Sequence, residues 1–197
     1  MAIVVVFFAV YFLLLRFPLF QPTVMPETIV DRWIGFQPAA FWLYVSLWAY
    51  VQIPAALLLR RPEVALYGKA IALLSLAGFV IFIAWPTRLD SASFDLAHHS
   101  AFRGLKTIDA SGNACPSLHV AFAIFSAASI NQSLREVFAP TWTRCLNNLW
   151  CIGIVYSTLA TRQHVFLDVV AGTALGAIAA LLYLKRRARI APEASAL

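Results

Sequence analysis

Apolar residues gather into six long stretches along this chain, separated by polar breaks of unequal length. The first runs from Ala2 to Phe20, interrupted late by Arg16 and Pro18, and the second, Ala39 to Leu59, holds 21 residues without one charge. The third runs from Val64 to Trp85 and carries Lys69 near one end, where a long aliphatic stem can lie along apolar surface while the ammonium reaches water. The fourth starts at Pro116 and fades in Asn131-Gln132-Ser133; the fifth covers Leu146 to Thr161; the sixth covers Val165 to Leu184 with Asp168 inside it. A helix needs roughly 20 apolar residues to cross a bilayer, so the pattern predicts an all-α membrane protein. We expect a bundle of six transmembrane helices with an extracytoplasmic loop between helices 3 and 4, forming a single domain over residues 1–197. The fourth and fifth stretches are too polar to face lipid all round, which predicts close packing. Glu27 to Phe36, between prolines, reads as a short interfacial helix with Trp33 as its anchor.

Composition agrees. Hydrophobic residues make up 61% of the 197, about 120, against 15 basic and 9 acidic side chains. A soluble globule cannot hide that much apolar surface behind so little charge, which excludes a cytosolic enzyme, a disordered protein and a disulfide-rich secreted module. The first stretch has no basic start and no small-residue cleavage site after it, so it reads as a span and not a signal peptide. The net charge of +6 forms no basic stripe interleaved with aromatics, so no nucleic-acid partner is expected. Short cytoplasmic loops gather Lys and Arg instead. With both termini cytoplasmic, the inner segments hold Arg60, Arg61, Arg135, Arg144, Lys185, Arg186, Arg187 and Arg189, and the outer ones Arg32, Arg88, Arg103, Lys106 and Arg162. Cys115, Cys145 and Cys151 are odd in number and lack metal-ligand spacing, so no disulfide framework follows.

The longest polar segment is the 29 residues from Pro86 to Ala114, with Arg88, Asp90, Asp95, His98, His99, Arg103, Lys106 and Asp109. Loops of this length in a compact protein are usually functional or disordered. In the topology above it faces outward, as does the junction between the fifth and sixth stretches. Both chemical clusters of the sequence therefore fall at one membrane face. The first is Cys115-Pro116-Ser117-Leu118-His119. Proline at the first helical position has no N–H to leave unpaired, and the open amides behind it make an anion site. Ser117 offers a hydrogen-bond donor and His119 a proton donor. The bland alternative is a capped helix with a satisfied histidine.

The second cluster runs from Ser157 to Asp168. His164 and Asp168, four apart, share a helix face, and a carboxylate on one ring nitrogen leaves the other free as a nucleophile. An aspartate in a span costs about 2.5–3.5 kcal/mol on insertion scales and so needs a partner or a purpose. Arg162 lies at the outer mouth, where a guanidinium either grips phosphate oxygens or snorkels to headgroups; Arg88 has the same two readings. Two histidines, a carboxylate, a hydroxyl and arginine on one face suit phosphoryl transfer. Carboxylates are too few for a magnesium site, so no metal or other cofactor is expected, and a route through phosphohistidine fits better.

These residues resemble the phosphatidic acid phosphatase type 2 superfamily of membrane lipid phosphatases, whose pattern is KxxxxxxRP, PSGH and SRxxxxxHxxxD. Pro116-Ser117-Leu118-His119 matches the second part with Leu for Gly, and Ser157, His164 and Asp168 match the spacing of the third. Thr158 stands where that part has arginine, and Arg162 is one turn further on. The first part is absent as written: Arg61-Pro62 has Pro54 at the lysine position and lies on the wrong side, and Pro86-Thr87-Arg88 is the nearest substitute. The PSLH and QHxxLD variants are most similar to the branch of inositolphosphoceramide synthase-like phosphotransferases and many bacterial relatives. The resemblance implies a membrane lipid phosphate as substrate and the bilayer as surroundings. It also implies a bacterial-type inner membrane, with the site facing outward. His164 would attack phosphorus, Asp168 would orient it, His119 would protonate the departing oxygen, and Ser117, Arg162 and Arg88 would bind the phosphate. His98 and His99 match no family position. A different class of function, a transporter using His119, His164 and Asp168 as a proton relay, predicts paired broken helices in two similar halves, and no such repeat is visible. A lipid-binding descendant without catalysis is the third reading, kept open by the two motif departures.

Overall fold

The computed structural model describes residues 2–90 and 112–193. Among them are seven helices: α1 (Ala2–Arg16), α2 (Ile29–Ile34), α3 (Pro38–Leu57), α4 (Arg61–Ala84), α5 (Leu118–Glu136), α6 (Thr141–Ala160) and α7 (Phe166–Glu193). Two short strands, β1 (Thr23–Val24) and β2 (Thr87–Arg88), pair in parallel with Thr23 opposite Thr87. A helix lies on each of the six apolar stretches, and α2 falls on the expected interfacial segment. The expected loop residues Asp95, His98, His99, Arg103, Lys106 and Asp109 lie outside the described residues.

Among the described residues α3, α4 and the Phe166–Ile190 part of α7 are long and apolar enough to cross a membrane, which marks the chain as an integral membrane protein. The other three fall short for different reasons. α1 is 15 residues long, whereas α5 and α6 have the length but are too polar. Several of their polar groups are buried against protein. Asn147 on α6 donates to the Ala127 carbonyl and to Asn131 Oδ1 on α5, at 3.0 and 2.9 Å, and accepts the Tyr50 hydroxyl of α3 at 2.7 Å. A satisfied amide of this kind ties three helices together where lipid offers no partner.

α5 is the central helix, packed on both α7 and α6. Its buried face is built from small residues, including Ala121, Ala123, Ser126, Ala127 and Ser129, so neighbours come close. α7 answers with Gly172 and Gly176: a Cβ at the first would collide with the Ser117 carbonyl, and at the second with the Ala121 carbonyl. This is a GxxxG spacing used to bring two backbones together. α3 is broken into short segments near Ser46 and Val51. Ser46 turns its hydroxyl back to the Leu43 carbonyl at 2.6 Å, and Pro54 has no N–H to offer the Tyr50 carbonyl.

The two ends of the bundle differ in chemistry. One end gathers the start of α5, the end of α6, the start of α7 and the strand pair. At the other, Arg187 of α7 is buried with Glu136 of α5 at 2.6 Å and Glu63 of α4 at 3.6 Å.

Candidate active site

His164 sits in the bend between α6 and α7, and both helix ends hold it there. α6 closes on a Schellman motif: Gln163 N–H reaches the Thr158 carbonyl at 3.1 Å and Arg162 N–H the Leu159 carbonyl at 3.0 Å. Arg162 occupies the left-handed position of that motif with φ +57°, where glycine is usual. The His164 N–H also bonds to the Thr158 carbonyl at 3.1 Å. Thr158, buried and with its own hydroxyl donated to the Val155 carbonyl, thus anchors the bend and stands where the resemblance places an arginine.

α7 then starts under two carboxylates. Asp168 Oδ2 accepts the Val165 N–H at 3.1 Å, and Asp31 Oδ1, from α2, accepts the Phe166 N–H at 2.8 Å. Negative charge beside open amides at a helix start is favourable. Asp31 itself is fixed by a capping box with Thr28.

The His164 ring donates from Nδ1 to the Ala114 carbonyl at 3.1 Å, since a carbonyl can only accept. Asp168 Oδ2 lies 3.6 Å from the same nitrogen, close enough for charge but beyond a hydrogen bond. The expected direct aspartate–imidazole bond is therefore replaced by a backbone carbonyl with the carboxylate behind it. Either way the proton sits on Nδ1 and the lone pair on Nε2. Asp168 is fully buried, and the Cys115 thiol lies beside it: burial, with that carboxylate, pushes the thiol up to about 11.

His119 comes from the first turn of α5. Its ring stacks on Tyr44 at 4.1 Å, and Nε2–H donates to the Tyr44 carbonyl at 3.1 Å, leaving Nδ1 free to exchange a proton. The two imidazoles are near enough for a charge on His164 to be felt at His119. A backbone bond joins their supports, from Ser117 N–H to the Asp168 carbonyl at 3.1 Å. Pro116 is not the first helical residue, as expected, but precedes the N-cap. Ser117 is that cap, accepting the Val120 N–H at 3.3 Å, and is fully buried. Leu118, the departure from PSGH, fits because Gly78 of α4 leaves room for it: a Cβ there would strike the leucine.

The cations are placed less uniformly. Arg162 Nη1 pairs with Glu27 at 3.3 Å, with 8% of its side chain exposed. Arg88 is exposed on β2, next to Thr87, whose Oγ1 accepts the Cys115 N–H at 2.7 Å. Strand side chains alternate in direction, so Arg88 points away from the side on which Thr87 holds the histidine loop. Thus His119, His164, Asp168 and Ser117 are brought together, Arg162 borders them, and Arg88 is turned from them. Sequence reasoning missed Asp31, Glu27, Tyr44 and Thr87. Asp31 alone left a trace, in the Thr28-to-Asp31 capping spacing. Among the described residues no three His, Cys, Asp or Glu side chains converge as a metal site would require.

The family model described as the PAP2 superfamily matches residues 64–191, which include His119, His164 and Asp168. No curated protein and no solved structure matches the chain.

Proposed function

The chain belongs to the PAP2 superfamily of phosphatases and phosphotransferases, and we propose that its substrate is a membrane lipid phosphate, cleaved through a phosphohistidine without a metal ion. His164 is the nucleophile. Its Nε2 lone pair attacks phosphorus while the bond to the lipid oxygen breaks, and that oxygen takes a proton from Nδ1 of His119, which enters the step as the imidazolium and leaves it neutral. Asp168 and the Ala114 carbonyl hold the positive charge that develops on the His164 ring. Neutral His119 then removes a proton from water or an alcohol, whose oxygen attacks phosphorus and breaks the P–N bond. Water gives hydrolysis; an alcohol acceptor gives headgroup transfer, the chemistry of the inositolphosphoceramide synthase-like branch. Arg162 is the phosphate-binding cation, kept in place by Glu27, with the open amides of the first turn of α5 as further anion contacts.

The observation that carries this reading is the state of the His164 ring, with Nδ1–H engaged by a carbonyl, a buried carboxylate at 3.6 Å and a second imidazole within electrostatic reach. The site lies at a helix end, where a lipid headgroup would meet it while its chains stay in the bilayer. We place it at the outer face with six spans and cytoplasmic termini, because the inner segments carry eight cations to the outer five. α1, α5 and α6 complete the six, with polar groups of α5 and α6 paired to one another and to α3.

The test is phosphate release from a lipid phosphate in detergent. His164→Ala is expected to lower it at least about 10³-fold, in line with removal of a covalent catalyst, while the variant still elutes as folded protein. A chelator is expected to leave the wild-type rate unchanged. Turnover by His164→Ala at the wild-type rate would discard the nucleophile, and chelator inhibition would discard the metal-free route.

A further inference from the structure

On the lipid-facing side of α4 and α7 a groove of about 170 Å³ runs between the two helices, far from the histidines. Its walls are apolar, with Leu73, Ala77, Ile178 and Leu182 among them, and Leu73, Ile178 and Leu182 are more than half exposed. At one end it is closed by Lys69 and Arg186, both exposed. The helices are antiparallel here, with Arg187 of α7 paired to Glu63 of α4, so both cations belong to the same end. That end is 20 residues down α7 from Phe166, about 30 Å from the histidine face.

The charges at that end are not balanced. Arg187 is buried against Glu63 and Glu136, so it takes up the nearby carboxylates. Among the described residues no carboxylate pairs with Lys69 or Arg186. Two exposed cations at the mouth of an apolar channel, one membrane thickness from the active face, match a phospholipid: chain along the helices, phosphate between the basic groups. We infer that this groove is a binding site for a phospholipid of anionic headgroup, in the leaflet opposite the histidines. The cations supply headgroup selectivity, since each basic residue near a membrane surface adds attraction for anionic lipid.

The experiment compares phosphatidylglycerol with phosphatidylcholine, counted on the purified full chain by native mass spectrometry after titration in detergent. The wild type is expected to retain phosphatidylglycerol with roughly tenfold preference. The Lys69→Gln/Arg186→Gln variant is expected to lose that preference and keep its rate on a water-soluble phosphate ester. A Lys69→Arg/Arg186→Lys variant should keep both, which separates lost charge from lost fold. His164→Ala should keep the preference, so a failed catalytic reading leaves this site standing. Equal retention of the two lipids by the wild type, or unchanged preference in the glutamine variant, would overturn the inference. So would a stoichiometric cross-link through Leu73→Cys between two copies of the chain, with lipid excluded.

Discussion

Arg162 combines two features that pull against each other in stability. It holds a left-handed backbone at φ +57°, which costs a residue with a Cβ about 1–2 kcal/mol relative to glycine. Its ion pair with Glu27, partly exposed at the glutamate, returns at most about 1 kcal/mol. A side chain retained under such conditions argues for a use beyond folding. We therefore expect Arg162→Gly to unfold about 1 kcal/mol higher than Arg162→Ala, the reverse of the order in a helix interior, with both variants losing most phosphate release. Denaturant melts and turnover measured on the same samples decide it. Wild-type turnover in either variant would remove Arg162 from the phosphate site, and a less stable glycine variant would remove the strain. The same bend shows what sequence could and could not disclose. His164, Asp168 and His119 were legible because their spacing is local and their types are chemical. Their partners were not, because the Ala114 and Tyr44 carbonyls belong to any residue's backbone, and Asp31 arrives from 135 positions away in sequence.

At the scale of elements, the crossing of α5 and α7 sets the distance between the two histidines. Gly172 lies against the Ser117 carbonyl, within the same contact that carries the Ser117-to-Asp168 backbone bond. Gly172→Val is expected to force the helices apart, lowering stability by about 1–3 kcal/mol as overpacking does, and to reduce turnover further than stability alone explains. Gly68, with open space where its Cβ would stand, is the control: Gly68→Ala should gain up to about 1 kcal/mol with activity intact. Normal turnover in Gly172→Val would mean that the crossing does not position the site. The helices themselves are readable as apolar runs, whereas this glycine pair has no distinguishing signal in a chain with many small residues. The marginal hydropathy of α5 and α6 comes in part from polar groups paired across helices, as Asn147 is with Tyr50 and Asn131.

Across the described residues, His119 and His164 occupy one end and the Arg187 cluster the other, and the proposed topology puts the first outside. Cys145 reports on this. It is exposed in the second turn of α6, at the end away from His164, whereas Cys115 and Cys151 are buried. Cys115 also stays a protonated thiol near neutral pH, being held up to about 11, and thiols of that kind react slowly. A membrane-impermeant maleimide should therefore leave Cys145 unlabelled in sealed cells and label it first on permeabilisation. A cysteine placed at the exposed Trp33 should label in sealed cells. Labelling of Cys145 from outside would reverse the orientation. The central claim, that His164 carries the phosphoryl group, is tested most directly by rapid acid-free quench with a lipid labelled at phosphorus. Wild-type protein should carry label that is stable in base, lost in acid and mapped to the peptide containing His164, and His164→Gln should carry none. Product formed at the wild-type rate with no labelled protein at any quench time, or label retained in His164→Gln, would contradict it.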